Sequence, residues 1–222
     1  MASRSDTPQS ELTGVILAGG RSSRLGRDKP MVQVGGQLML ARVAHALRDL
    51  CRELILVVRP GQSDHVPDTG IALRMHVVAD RYPGAGPMAG IEAGLAACVT
   101  DFAFVTGADY PFLSTGLIRA MAAHAAEHRV AVVPRFEDRF QSLTAIYPRH
   151  WQPRLQTAIE SNQTSMLRFI ADAVNCGDPP VKIFEESEAR VHDRRLNTFL
   201  DIDTPSQLAE AQRRLRRGPY SS

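Results

Sequence analysis

The chain has 222 residues, 44% hydrophobic and 23% charged, which suits a globular protein with enough apolar material for one buried core. Its 26 basic and 24 acidic residues leave a formal charge of +2, too slight a surplus to call for nucleic acid as a partner. Cys51, Cys98 and Cys176 are odd in number and in no metal-ligand spacing, which argues against a disulfide framework or a zinc site and for free thiols in a reducing compartment.

Residues 1–12 are polar and are expected to form a disordered tail ahead of one domain over 13–217. The first ten residues lack the apolar centre of a signal peptide, and no stretch approaches the ~20 apolar residues of a membrane span. A cytoplasmic location without membrane contact is expected. Residues 13–18 (TGVILA) form a continuous apolar run, the pattern of a strand buried on both faces. It stops at Gly19-Gly20, and a polar, basic loop leads to Lys29. Leu40, Val43, Ala44, Leu47 and Leu50 recur at helical spacing, predicting a helix over 38–50. ELILVV at 53–58 is a second buried strand and 76–79 a third. A helix over 88–98 follows the turn-rich PGAGP, and FAFVT at 102–106 is a fourth strand.

Ser114 is placed to cap a helix whose inner face is Leu117, Ile118, Met121, Ala122 and Ala125. Residues 130–133 and 142–147 read as strands, and Ser165 opens a helix carrying Met166, Phe169, Ile170 and Ala173. Thr204-Pro-Ser-Gln207 is a capping box with proline at the first helical position, and its helix runs to about Arg216. Arg213, Arg214, Arg216 and Arg217 read as its solvated end. Alternating strands and helices predict an α/β fold: a single Rossmann-like domain with a mostly parallel central sheet flanked by helices. The stretch from about 135 to 200 is less regular and is expected to hold inserted strands.

The chemistry concentrates in the loop after the first strand. Gly19, Gly20 and Gly26 permit close approach of backbone amides to a ligand, and Arg21, Arg24 and Lys29 add cations beside Ser22 and Ser23. Amides and mobile positive charge at the carboxyl end of a buried strand make a polyphosphate cradle. A basic surface turn is the alternative. The loop lacks the G-K-S/T ending of a Walker A motif. Asp109, after the fourth strand, and Asp80, after the third, would share that sheet edge, where a carboxylate can hold Mg²⁺ against phosphate oxygens. Gly84-Ala-Gly86-Pro-Met-Ala89 also fits the dinucleotide fingerprint, but Arg81-Tyr-Pro separates it from its strand and Pro87 lacks an amide N–H. His45 and His76 read as packed or solvated residues, Trp151 as a packing anchor, and Gln141-Ser142 as a border of an acceptor pocket.

GVILAGGRSSRLGRDKP resembles the signature loop of the MobA-type molybdenum cofactor guanylyltransferases, within the wider nucleotidyltransferase group of nucleotide-diphospho-sugar transferase-like fold. YPGAGPMAGIEAGL, TGADYPFL and FLDIDTPSQL agree in order and spacing, so the resemblance spans about 13 to 215. It implies that Leu17, Ala18, Gly19 and Gly20 contact the nucleotide through the backbone, and that Arg24 and Lys29 hold the triphosphate. Asp109 would bind Mg²⁺, Asp80 would lie near the nucleotide, and Gly86, Pro87 and Gly90 would border the acceptor. Two positions depart from the guanylyl pattern. The family usually has asparagine where this chain has Val58-Arg59, and N-x-N-T-P where it has Asp201-Ile-Asp203-Thr-Pro.

The expected activity is transfer of GMP from GTP to molybdopterin with release of pyrophosphate, catalysed by Arg24, Lys29 and Asp109. Molybdoenzyme maturation proteins are implied as further partners. A CTP-dependent or sugar-phosphate nucleotidyltransferase, or a silent nucleotide-binding module, are the other readings.

Overall fold

The run TGVIL lies at the centre of a sheet because both faces of its strand are covered: β1 (Leu12–Leu17) is buried along almost its whole length. The computed structural model describes residues 11–19 and 29–217. Leu12, expected in the tail, is already buried and paired with Phe102. A short hairpin, β2 (Gln33–Val34) and β3 (Gln37–Leu38), turns on Gly35 and Gly36, both at positive φ. Then come α1 (Met39–Arg48), β4 (Glu53–Val58), α2 (His65–Ala72), β5 (His76–Ala79), α3 (Gly86–Ala97), β6 (Phe102–Gly107) and α4 (Thr115–His128). The second half contributes β7 (Ala131–Phe136), β8 (Arg139–Phe140), β9 (Thr144–Pro148), α5 (Gln152–Glu160), α6 (Met166–Cys176), β10 (Val181–Phe184), α7 (Glu186–His192) and α8 (Pro205–Arg217).

The main sheet runs in the order β10-β7-β9-β6-β1-β4-β5, with β8 paired to β7. β6, β1, β4 and β5 are mutually parallel, as are β10 and β7; β9 is antiparallel to both its neighbours. The mostly parallel α/β sheet expected from the sequence is therefore observed. One face is covered by a core that includes Leu40, Val43 and Leu47 of α1 and Leu117, Ile118 and Met121 of α4. The other carries Met88, Ile91 and Leu95 of α3 with Leu155, Ile159 and Ile170. Trp151 is fully buried beside Tyr147 and Phe169, at 5.7 Å from each ring, which bears out the packing reading.

Capping chemistry sets several helix ends as read from the sequence. Ser114 Oγ accepts from the Leu117 N–H and Ser165 Oγ from the Arg168 N–H. At α8, Gln207 Oε1 accepts from the Thr204 N–H at 2.9 Å and the Gln207 N–H donates to Thr204 Oγ1 at 3.2 Å, closing the expected box. Arg213 and Arg214 both pair with Glu210 on α8, in keeping with a solvated, internally paired helix end. No helix among the described residues is long and apolar enough to cross a membrane. Strands β8 and β10 fall within the stretch from about 135 to 200 expected to hold inserted strands, whereas helices α2, α5 and α7 are not marked by the sequence pattern.

Helix α3 packs unusually close to β1. A Cβ on Gly90 would come within 3.1 Å of Leu17 Cδ2, and one on Gly94 within 2.4 Å of Val15 Cγ1. The two glycines, one turn apart, let the helix backbone sit directly on the central strand. Valine cannot swing its branched end aside, so Gly94→Ala is expected to cost about 1–2 kcal/mol despite alanine's better helix propensity. A thermal-melt comparison checks this; an unchanged or higher midpoint would refute the close-packing account.

Candidate active site

Because β6, β1, β4 and β5 are parallel, their carboxyl ends open on one edge of the sheet. Leu17 stands level with Val57 and Gly107, and Ala18 and Gly19 continue past them. The Ala18 N–H donates to the Val57 carbonyl at 2.8 Å and the Ala108 N–H to the Leu17 carbonyl at 2.9 Å, so the edge is stitched to both neighbouring strands. Gln62 closes it further: its side-chain amide donates to the Ala18 carbonyl at 2.8 Å while its oxygen accepts from the Arg59 N–H at 3.1 Å. Gly20 and Arg24 of the sequence-predicted cradle lie outside the described residues.

Lys29 returns to this edge at the start of a single 3-10 turn, Lys29–Met31. Its ammonium stands 3.5 Å from an Asp109 carboxylate oxygen and forms an ion pair with Asp203. The Asp109 carbonyl accepts from the Ile202 N–H at 3.0 Å, which fastens the 201–203 segment beside it. Ile202, 1% exposed, anchors that segment in a small cluster with Val34, Met39 and Ala211. Among the described residues, Lys29 and three carboxylates, Asp109, Asp201 and Asp203, thus cluster here.

Charge and burial perturb every member whose shift is resolved. Burial pushes the Asp109 carboxyl above the usual aspartate range, and Asp203 and Asp201 add to this, against the pull of Lys29. Asp201 is raised in the same way, by burial and then by Asp203. Burial alone would lower the Lys29 pKa, but its hydrogen bond to Asp203 and the charges of Asp109 and Asp203 hold it above the ordinary lysine value. Among the described residues the carboxylates of this cluster outnumber the cation that faces them.

Asp80 and Asp109 do not converge. Asp80 follows β5 and Asp109 follows β6, with β1 and β4 between them, which is three strand spacings or about 14 Å. The Asp80 N–H donates to the Val58 carbonyl at 2.9 Å, and burial raises its carboxyl pKa against a backbone hydrogen bond at Tyr82. Gly86 and Pro87 form the first turn of α3, which starts from the same edge, and both are exposed; Gly86 sits at φ +61°. Gly90 is buried against Leu17. The loop before α3 is tied down by Arg81, which pairs with Glu92, a carboxylate buried within α3 that also accepts from Gln152 Nε2 at 2.6 Å. Asp203, Gln62 and Glu92 had no assigned role in the sequence reading. Asp203 is marked in the sequence only as a departure from the N-x-N-T-P pattern of the family it resembles.

The MobA-like NTP transferase domain model matches residues 14–176 of the chain. The chain is 34% identical to a probable molybdenum cofactor guanylyltransferase of Natronomonas pharaonis, over 92% of this chain and 98% of that protein. It is 26% identical to the molybdenum cofactor guanylyltransferase of Desulfosudis oleivorans, over 95% and 98% of the two chains. Its fold is similar to that of molybdopterin-guanine dinucleotide biosynthesis protein A from Archaeoglobus fulgidus, with a TM-score of 0.77 at 21% identity, covering 93% of this chain and 100% of that one. It is also similar to 2-C-methyl-D-erythritol 4-phosphate cytidylyltransferase from Thermus thermophilus, with a TM-score of 0.65 at 20% identity over 91% and 98% of the chains.

Proposed function

The chain belongs to the MobA-like NTP transferase family and is a nucleotidyltransferase, and we propose that it transfers GMP from GTP to the terminal phosphate of molybdopterin. The observation that carries the site assignment is the 3.5 Å approach of Lys29 to Asp109 beside the glycine strand end. In this reading the triphosphate lies along Leu17, Ala18, Gly19 and Gly20, with Arg24 and Lys29 on its outer phosphates and the base toward Asp80. Gly86 and Pro87 border the acceptor, and Gly90 seats α3 where those two face the edge.

The donor set fits Mg²⁺. Asp109 and Asp203 offer hard carboxylate oxygens, and Lys29 now supplies the positive charge that they share. Among the described residues no three metal-binding side chains form a cage of their own, which suits an ion completed by phosphate and water. A divalent ion held by Asp109 would neutralise charge developing on the α-phosphate.

An oxygen of the acceptor phosphate, already anionic at neutral pH, attacks the α-phosphorus in line. The new phosphoanhydride forms as the α–β bridging bond breaks, and its electron pair leaves with pyrophosphate. No covalent enzyme intermediate or general base is required, so the protein's work is positioning and charge neutralisation. Lys29 and Arg24 stabilise the departing pyrophosphate. A cytoplasmic setting belongs to the same reading and accords with three free cysteines.

A pyrophosphate-release assay with each NTP, with and without molybdopterin and Mg²⁺, tests this. Release is expected with GTP only, and only when acceptor and Mg²⁺ are both present. Release with CTP alone, with a sugar phosphate as the required acceptor, or GTP binding without turnover would each overturn it.

A further inference from the structure

Two polar atoms at the carboxyl edge stand out among the described residues. Arg59 Nε and Asp80 Oδ1 are both buried, and neither has a hydrogen-bond partner among the described residues. Burying a donor or an acceptor without a partner forfeits its hydration with no return, so native folds seldom keep such atoms without a use. Here there is one of each, and they are neighbours. Val58 pairs with Ala79 across β4 and β5, so Arg59 and Asp80 are the next residues on adjacent strands. The Arg59 backbone is fixed by Gln62, and its Cβ lies against Gly19, 3.6 Å from where a Cβ on that residue would stand. A donor and an acceptor are thus held beside the strand end that the proposed function gives to the nucleotide, on the side away from Asp109.

We propose that Arg59 sets the choice of base, its guanidinium donating to O6 and N7 of guanine while the adjacent Asp80 carboxylate accepts from N1–H and N2–H. The assignment rests on the nucleotidyltransferase reading of this edge. Guanine alone among the four bases joins two adjacent ring-edge donors to an acceptor pair, O6 and N7, that an arginine fork matches. Adenine places a donor where guanine has O6, and cytosine has no N7. Burial of Asp80 works in the same direction, since a carboxylate short of hydration gains most from two donors.

Equilibrium binding by calorimetry, run on the full chain with GTP, 7-deaza-GTP, ITP and CTP, tests the assignment without an acceptor. In the wild type, 7-deaza-GTP, which lacks only the N7 acceptor, is expected to bind about tenfold more weakly than GTP. In Arg59→Met the two should bind equally, while the penalty for ITP, which lacks the 2-amino group, persists because Asp80 still reads that position. Arg59→Lys should recover part of the 7-deaza discrimination, and circular dichroism melts of both variants should match the wild type. A wild-type ratio of one, an unchanged ratio in Arg59→Met, or a uniform loss across all four nucleotides would overturn the assignment; the last would make Arg59 a phosphate contact. The parallel pyrophosphate assay separates the two levels. Failure to release pyrophosphate despite a retained GTP to 7-deaza-GTP ratio sinks the transferase reading and supports the base assignment, whereas release with a ratio of one overturns the base assignment alone.

Discussion

Asp109→Ala is expected to abolish metal-dependent nucleotidyl transfer, a loss of at least ~100-fold or about 3 kcal/mol of transition-state stabilisation, while the protein stays folded. The two halves of that outcome have separate physical grounds. The backbone at this position does its structural work without the side chain, because the bond to the Ile202 N–H is made by the carbonyl. Ionisation of the side chain, by contrast, works against the unliganded fold. Its folded pKa is raised by burial and by the neighbouring aspartates, so the folded state holds the proton more tightly than the unfolded chain does. Stability therefore falls as pH rises from the unfolded carboxyl pKa through the raised folded value, and the cost is complete above it. A variant without the carboxylate escapes it, and its thermal midpoint at pH 7 should equal or exceed that of the wild type. The same raised pKa governs activity. The ionised form is the one that holds a cation, so the acid limb of the wild-type pH profile should fall above the ordinary aspartate range. Steady-state pyrophosphate release and a melt, both followed against pH, check the set. Near-normal turnover in Asp109→Ala would remove the metal-binding role.

Lys29→Ala should slow turnover by a similar factor and, unlike the first variant, destabilise the unliganded fold. This ammonium answers Asp109 and Asp203 together, and Asp201 adds its charge nearby. The sign is opposite to that of the aspartate. A lysine whose folded pKa is raised contributes stability that is fully present below its unfolded pKa and is lost only as pH rises through the folded value. At neutral pH the contribution is intact, so removing it exposes mutual repulsion among the carboxylates. Added Mg²⁺ should raise the thermal midpoint more in Lys29→Ala than in the wild type, since an added cation then meets the full charge of the cluster. Unchanged kinetics, with equal Mg²⁺ shifts in the two proteins, would refute a shared charge cluster.

The sheet was legible because its central strands are continuous apolar runs, and a parallel strand covered on both faces admits little else. Helix starts were legible where Ser114, Ser165 and Thr204 supply the capping oxygen. Some of the elements that escaped carry conflicting or weak local signals. α2 carries Pro67 inside its first turn and α5 carries Pro153 near its start, each reading as a break; β10 is short and mostly half-buried. At the site, Lys29 and Asp109 could be anticipated because each follows a feature that the sheet edge fixes. The partnership of Lys29 with Asp203 could not, because 174 positions separate them and they meet only through packing of Ile202 against α8 and the β2–β3 region. Arg59 and Asp80 become neighbours through strand register, which no single-strand pattern reveals.

The buried carboxylate inside α3 bears on how the second substrate meets the protein. Glu92 stands six residues beyond Gly86, about 9 Å down the helix, and the Arg81 guanidinium reaches it there. Arg81 is in that sense a mooring line. It trims the slack of the glycine-rich turn before α3, and Gln152 ties the same post to α5. The loop's ordering entropy is spent during folding, so in the proposed reading, where Gly86 and Pro87 border the acceptor, an incoming acceptor would meet a wall already in place.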